Sequence, residues 1–328
     1  MVRFGVIGTN KITEQLLDAA RHNEQFKLTA VYSRTEERAR EFAAKYGAEH
    51  IFTDLEAMAA SDVLDAVYIA SPNSFHKDYA VTCMNGGKHV LCEKPIASNA
   101  GELQEMIDAA ERNGVLLMEA MKSTLMPGFE AVRSNLDKLG AIRRYTGSYC
   151  QYSSRYDAYK QGTVLNAFNP EFSNGALMDL GIYCLYPLVA CFGAPKAVKA
   201  TAVMLESGVD GEGSILLEYD DMEAVVAYSK ITNSHLPSEI QGENGNMLID
   251  RISEPGDIRI EYRDGRVETL GTPGDRPIMS YELDHFVQLV LEGKTESPVN
   301  SFANSMATMR IMDEARRQFG LVYPADKR

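Results

Sequence analysis

The stretch Val2-Arg3-Phe4-Gly5-Val6-Ile7-Gly8-Thr9-Asn10-Lys11-Ile12-Thr13 decides the fold. Val2–Ile7 is almost continuously apolar, which reads as a short strand buried on both faces. A glycine and a polar turn follow, and then Ile12, Leu16, Ala19 and Ala20 recur at helical spacing, so a helix is predicted over Ile12–His22. The next hundred residues repeat this unit. Strands are predicted at Phe26–Ser33, Asp65–Ala70, Lys88–Cys92 and Val115–Met118, with helices at Thr35–Tyr46, Phe75–Asn85 and Gly101–Arg112. Thr35 stands at an N-cap position and Gly47 at a C-terminal stop. Strands alternating with helices predict a doubly wound parallel sheet.

Near residue 120 the rhythm changes. One helix (Gly128–Leu139) precedes a strand-rich stretch: Ile142–Tyr152, Ala197–Leu205, Ser214–Tyr219, Ala224–Ser229, Glu239–Gly242, Asn246–Ile249, Ile258–Tyr262 and Val267–Leu270. Asp210-Gly211, Asp220-Asp221, Asn244-Gly245 and Asp264-Gly265 are turn signals, the last two in hairpins. Helices over Ser280–Leu291 and Ser301–Phe319 close the chain. Strands followed by helices predict an α+β domain around a mainly antiparallel open sheet. The expected division is residues 1–120 for nucleotide binding and 121–328 for substrate binding and dimerisation.

A length of 328 residues suits two domains. With 33 Lys and Arg against 46 Asp and Glu, the formal net charge is −13, which argues against a general affinity for nucleic acid or an anionic membrane surface. No apolar run approaches the ~18–20 residues of a membrane span, and the N-terminal run is too short for a signal peptide. Five Cys with no C-x-x-C predict reduced thiols, not a disulfide framework or a zinc site. The expected compartment is the cytoplasm.

The Gly8 turn sits where a Rossmann fold places G-x-G-x-x-G, although Asn10 and Thr13 take the places of the second and third glycines. Asn tolerates positive φ better than most residues, so the turn is feasible there. Gly8, Thr9, Asn10, Lys11 and Ile12 would present backbone N–H groups and a helix N-terminus to a pyrophosphate; a plain strand-to-helix turn is the alternative. The second strand ends Tyr32-Ser33-Arg34, without the acid that selects NAD. Ser33 and Arg34 suit a ribose 2′-phosphate, pointing to NADP with NAD as the second choice; the alternative is a solvated Arg opening a charged helix.

Two clusters follow at later strand ends: Ser71-Pro72-Asn73-Ser74-Phe75-His76 and Glu93-Lys94-Pro95. A third, Gly175-Ala176-Leu177-Met178-Asp179-Leu180-Gly181-Ile182-Tyr183, is expected on a helix, where a carboxylate and a phenol spaced i, i+4 project from one face. Together these resemble the glucose–fructose oxidoreductase/inositol dehydrogenase (Gfo/Idh/MocA) family over nearly the whole chain. Tyr183 in place of the usual His, and Arg34 in place of an acid, resemble its dimeric dihydrodiol dehydrogenase and NADP-dependent xylose dehydrogenase branch. The resemblance implies that Ser71, Pro72, Asn73 and His76 line the nicotinamide-ribose side, that Glu93 and Lys94 lie beside the nicotinamide, and that the bond before Pro95 is cis. It also implies a homodimer paired through the C-terminal sheet, with Val225 and Tyr228 as candidate interface residues. Thr124 stands where relatives often have Arg; Lys122 is a partial replacement.

The implied chemistry is hydride transfer between nicotinamide and a carbinol or carbonyl carbon of a sugar, polyol or trans-diol. A free Tyr ionises near pH ~10, and a nearby ammonium lowers that value. Tyr183 would serve as general acid/base, Lys94 would polarise the substrate oxygen, and Asp179 would orient substrate or Tyr183; no metal is required. This needs Lys94 and Tyr183, from different halves of the chain, at one nicotinamide ring. The alternatives are an exposed strand-end Lys94 and a core Tyr183, and, for the whole chain, a non-catalytic NADP-binding regulatory protein. Tyr149, Tyr152, Tyr156 and Tyr159 suit either sugar recognition or ordinary packing, and Asn166, Asn169 and Asn174 are candidate hydroxyl contacts.

Overall fold

The computed structural model describes residues 1–271, 274 and 276–327. The chain forms two compact units, Met1–Met121 with Arg276–Ala303, and Lys122–Asp275 with Asn304–Arg328. The first unit is therefore discontinuous: the segment after residue 275, expected in the second domain, returns to it.

In the first unit, strands β1 (Val2–Ile7), β2 (Phe26–Tyr32), β3 (His50–Phe52), β4 (Ala66–Ile69), β5 (His89–Glu93) and β6 (Leu117–Ala120) form one sheet in the order β3-β2-β1-β4-β5-β6. All pairs are parallel. This is the Rossmann order, with its topological switch between β1 and β4. Helices α1 (Lys11–Ala20), α2 (Glu36–Tyr46), α3 (Leu55–Ala60), α4 (His76–Asn85) and α5 (Ala100–Asn113) connect the strands. β3 and α3 have no counterpart in the sequence reading. They hold three and six residues, too few for periodicity to register. Thr35 takes the N-cap position of α2 but its side chain makes no capping bond, whereas Gly47 closes that helix at φ 77° as expected.

The second unit carries β7 (Ile142–Cys150), β8 (Ala197–Met204), β9 (Asp210–Glu218), β10 (Glu223–Ser229), β11 (Ser238–Gly242), β12 (Gly245–Ile249), β13 (Ile258–Tyr262) and β14 (Val267–Gly271). They form one sheet in the order β14-β13-β12-β11-β7-β10-β9-β8. Every pair is antiparallel except β10 with β7. Its helices are α6 (Pro127–Arg133), α7 (Tyr156–Lys160) and α8 (Ile182–Phe192). The expected Gly128–Leu139 helix is α6 followed by a separate 3₁₀ turn at Leu136–Leu139. Asp210-Gly211 is not a turn: it begins β9, and the reversal lies just before it, where Gly208 has φ 90°. Of the last two helices, α9 (Met279–Leu291) belongs to the first unit, where Phe286 packs 5.7 Å from Phe4, and α10 (Phe302–Phe319) lies almost wholly in the second.

One helical run is long and apolar enough to cross a membrane, contrary to the expectation that none is: Pro170–Phe192, 23 residues, of which the most apolar window is 78% buried inside the protein. It combines 3₁₀, π and α segments and turns its apolar side chains inward.

Sheet alternation separates Val225 from Tyr228. Along β10, Ala224, Val226 and Tyr228 are buried while Val225 and Ala227 are half-buried. Val225 and Tyr228, three apart on a strand, point to opposite faces. Tyr228 is a core residue on the α8 side, so only Val225 stays on the outer face.

Gly8 lets the turn after β1 approach the end of β4 closely. It has φ 108°, and a Cβ built on it would lie 2.5 Å from the Ala70 carbonyl oxygen at the end of β4. Gly8→Ala combines left-handed strain with a backbone clash, so it should destabilise the fold by roughly 1–3 kcal/mol. A denaturant midpoint equal to wild type would show that the turn relaxes without cost.

Candidate active site

The turn after β1 is organised by Asn10. Its side chain donates to the Ala70 carbonyl (2.6 Å) and accepts from the backbone of Thr13 (3.2 Å), capping α1. The Thr13 hydroxyl closes the turn on the Gly8 carbonyl at 2.8 Å. Asn10 has φ −105°, not the positive φ expected of it, and stands in for a glycine as a cap and a strap to β4. Lys11 opens α1 and is exposed, and Ile12 is half-buried.

At the end of β2, the Ser33 backbone donates to Phe52 (3.1 Å) and Arg34 is exposed. Arg38, one helical turn further on and not among the expected cofactor residues, also reaches this turn. Its guanidinium donates to the Thr9 hydroxyl (3.0 Å) and carbonyl (2.8 Å) and pairs with Glu41 at 2.7 Å. Its only signal in the sequence is a second arginine in the first turn of the helix that follows Arg34. A tight backbone approach at Gly8, a helix N-terminus and two arginines fit a phosphate-bearing dinucleotide.

The Ser71–Asn73 loop enters α4 through a 3₁₀ turn over Asn73–Phe75. His76 is fully buried, with Nδ1 2.9 Å from the Pro95 carbonyl oxygen and Nε2 2.9 Å from that of Ser71. It therefore braces the two loops against each other from inside and does not line the ligand face as expected. Burial holds its imidazole below the usual range, although two carbonyl acceptors favour the protonated ring. Glu93, at the end of β5, accepts from the buried Tyr68 hydroxyl, and burial pushes that phenol well up. The Lys94–Pro95 bond is cis, and Ser71, Pro72, Glu93 and Lys94 are all half-buried. The loop residues and the Glu-Lys-Pro motif thus meet at the carboxyl edge of β4 and β5, where open α/β sheets bind ligands.

In the second unit the motif around Asp179 is not simply α-helical. Leu177–Gly181 is a π-helix that runs into α8, with an Ile182 N–H to Leu177 C=O bond spanning five residues. The wider turn changes the expected i, i+4 alignment of Asp179 with Tyr183; π-turns of this kind are frequent at functional sites. Asp210, fully buried on β9, accepts from the Ala176 (3.1 Å) and Leu177 (2.7 Å) backbones and so fixes the start of this segment. Gly175 is needed there: φ is 154°, and a Cβ would come 2.1 Å from an Asp210 carboxylate oxygen. Asp179 pairs with the buried Lys230 at 2.9 Å while its side chain stays 36% exposed.

Tyr183 is 8% exposed, and Tyr149 stands edge-on to its ring at 5.7 Å. Beside Tyr149 opens a polar cleft of about 510 Å³, lined among others by Gln151, Asn233, Arg251, Ser253 and Glu254. The remaining tyrosines of the cluster pack locally: Tyr156 and Tyr159 stack on each other and meet Phe168 at a tilt, and Tyr152 bonds Asp157. Asn169 caps a 3₁₀ turn and Asn174 holds Gly175 and faces Lys230, so both serve the backbone of their own loop. Lys122 pairs with Glu254 at 3.1 Å, so a stand-in for the missing Arg carries its own counter-ion. All five cysteines are unpaired thiols, and burial pushes Cys83 and Cys191 up to about 12. Among the described residues no cluster of three or more His, Cys, Asp and Glu is placed to hold a metal ion.

Fold and site define a dinucleotide-binding oxidoreductase architecture: a Rossmann unit and an open-sheet unit carrying an Asp and a Tyr. Comparison with known proteins agrees. A model described as "Oxidoreductase family, NAD-binding Rossmann fold" matches residues 2–121, and one described as "GFO/IDH/MocA C-terminal domain" matches residues 130–248. The chain is 59% identical over 327 residues to scyllo-inositol 2-dehydrogenase (NADP(+)) IolU of Bacillus subtilis, with 100% of both covered. It is 31% identical to trans-1,2-dihydrobenzene-1,2-diol dehydrogenase of Mus musculus, over 100% of this chain and 99% of the relative. A 3-ketoreductase from Actinomadura kijaniata, solved with NADP and TDP-benzene, shares the fold with a TM-score of 0.84 at 24% identity, over 97% of this chain and 98% of that one. The chain belongs to the Gfo/Idh/MocA oxidoreductase family.

Asp210 has a measurable consequence. Burial raises its carboxyl to about 6, against the opposing pull of the two backbone N–H groups. An unfolded Asp ionises near pH ~4. Between these values the folded chain keeps a proton that the unfolded chain has lost, so this group's contribution to stability falls as pH rises from ~4 to ~6 and is level above. Asp210→Asn cannot titrate. The wild-type minus variant unfolding free energy should therefore drop by about 3 kcal/mol between pH ~4 and pH ~7 in denaturant melts. A difference independent of pH would mean that Asp210 is ionised throughout.

Proposed function

We propose that this protein is an NADP-dependent dehydrogenase of cyclic polyols, oxidising a ring carbinol of scyllo-inositol or a close analogue to the ketone. The observation that carries this is the 59% identity across the full length of an NADP-dependent scyllo-inositol 2-dehydrogenase. The polar cleft lined by Tyr149, whose ring packs edge-on against Tyr183, supports it, since a polyol needs many hydrogen-bonding partners and little apolar wall.

The dinucleotide edge fits NADP. Gly8, Thr9, Asn10 and the α1 N-terminus would hold the pyrophosphate, and Ser33 with Arg34 and Arg38 would take the 2′-phosphate. Bound NADP supplies the hydride acceptor. Tyr183 takes the proton of the reacting hydroxyl, Lys94 holds that oxygen and favours the ionised phenol, and Asp179 accepts a hydrogen bond from a neighbouring hydroxyl. Glu93, fixed by Tyr68, and the loops braced by His76 keep Lys94 in place. In the reverse direction the same groups return the proton to a carbonyl.

The protein works in the cytoplasm as a homodimer. The outer sheet face supports the second part: Val203 and Leu216 are exposed there at 52% and 45%, and Leu216 pairs with Val225 across the β9–β10 ladder. Leu216→Glu should shift the mass seen by light scattering from dimer to monomer. An unchanged dimer would place the interface elsewhere.

The function is tested by following NADP reduction with scyllo-inositol, other inositols, aldoses and trans-diols. Tyr183→Phe and Lys94→Ala should each lower kcat by roughly 10²–10⁴-fold while the Kd for NADP stays close to wild type. Arg34→Ala should weaken NADP far more than NAD. A chain that binds NADP but reduces it with no member of the panel would be a regulatory protein instead.

A further inference from the structure

Lys230 directly follows β10, and its side chain is only 3% exposed. Lysines are almost never buried without partners, because removing an ammonium from water costs several kcal/mol. Here its nitrogen lies 3.0 Å from the Ala167 carbonyl oxygen, 3.4 Å from the Asn174 side-chain oxygen and 2.9 Å from Asp179 Oδ2. Three protons meet three acceptors, and the Phe168 ring lies 5.3 Å away.

The geometry connects three stretches of one unit to a single charge: the loop at Ala167–Phe168, the turn at Asn174, and Asp179 in the π-helix. Neighbouring β9 contributes Asp210, which binds the backbone of the same segment at Ala176 and Leu177. Two adjacent strands thus clamp residues 174–179 with opposite charges, an anion on the peptide N–H groups and a cation on the side chain. The two partners of the ion pair differ in exposure: Lys230 is sealed and Asp179 is 36% open. If the pair served packing alone, apolar side chains of similar volume would do as well or better. A sealed cation behind a part-open carboxylate restrains which way that carboxylate faces.

We propose that Lys230 is a positioning residue for the reaction: its buried ammonium orients Asp179 and holds it as an anionic hydrogen-bond acceptor for a substrate hydroxyl. This rests on the role given to Asp179 above. Lys230 touches neither substrate nor cofactor in this account; it acts through Asp179.

The test is a double-mutant cycle of Lys230→Met and Asp179→Asn, each alone and combined. In the wild-type background Lys230→Met should lower kcat/KM for scyllo-inositol by at least ~10-fold, with the Kd for NADP changed less than ~2-fold. In the Asp179→Asn background the same change should cost less than ~3-fold more. Equal losses in both backgrounds would make Lys230 a purely structural residue and overturn the proposal. If Lys230→Met does not fold, Lys230→Gln, polar and uncharged, runs the same cycle. A wild-type protein without polyol turnover would instead refute the functional reading. Thermal melts of the same four proteins then still decide whether Lys230 fixes Asp179: a larger loss of Tm from Lys230→Met when Asp179 is present supports it, and additive losses overturn it.

Discussion

The carbonyl oxygen of Ala70 occupies the space that any side chain on residue 8 would need. That approach of β4 to the turn after β1 is the constraint on which the first unit's ligand edge depends. It demands glycine at position 8, and it places an acceptor where Asn10 donates, so the turn after β1 is strapped to the end of β4. The same strand end continues into Ser71, whose carbonyl faces His76, which in turn reaches Pro95. One close contact therefore propagates through Asn10, Ser71 and His76 to the loop carrying Lys94. Each link is a short polar bond in a buried or half-buried setting, where an unmade bond is costly.

The second unit uses charge in place of close backbone contact. Asp210 at the start of β9 and Lys230 just after β10 grip one segment from the peptide and side-chain ends. Isolated, either would be an expensive buried ion. Together with Asp179 and the N–H groups of Ala176 and Leu177 they satisfy one another, and they leave the motif carboxylate as the member that meets solvent. The π-turn at Leu177–Gly181 belongs to the same arrangement. A widened turn in the middle of an apolar helical run re-aims Asp179 without breaking the run, whose remaining side chains stay in the core.

Much of the first unit was legible along the chain. Continuous apolar strands, amphipathic helices and glycine stops are local signals, and β1, β2, β4, β5 and β6 fall within a few residues of their expected places. The short β3 and α3 were not legible, because three and six residues carry too little periodicity. The motif residues were also legible: Gly8, Lys94, Asp179 and Tyr183 stand in patterned stretches. What the pattern did not disclose was their partners. Arg38 against Thr9, Tyr68 against Glu93, and Lys230 against Asp179 are separated by 29, 25 and 51 positions, and no spacing rule links them.

The sequence by itself determined the class of each unit, the glycine turn after the first strand and the places of the motif side chains, because these depend on local propensity, hydrophobic period and residue chemistry. Tertiary structure alone decided that residues 276–303 return to the first unit, that Asn10 caps instead of bending, that His76 braces from within, that Tyr228 is core while Val225 lies on the outer face, and that the apolar run at 170–192 is packed inside the protein. Each of those outcomes is fixed by which face of an element meets another, and facing is set by packing between segments far apart in the chain.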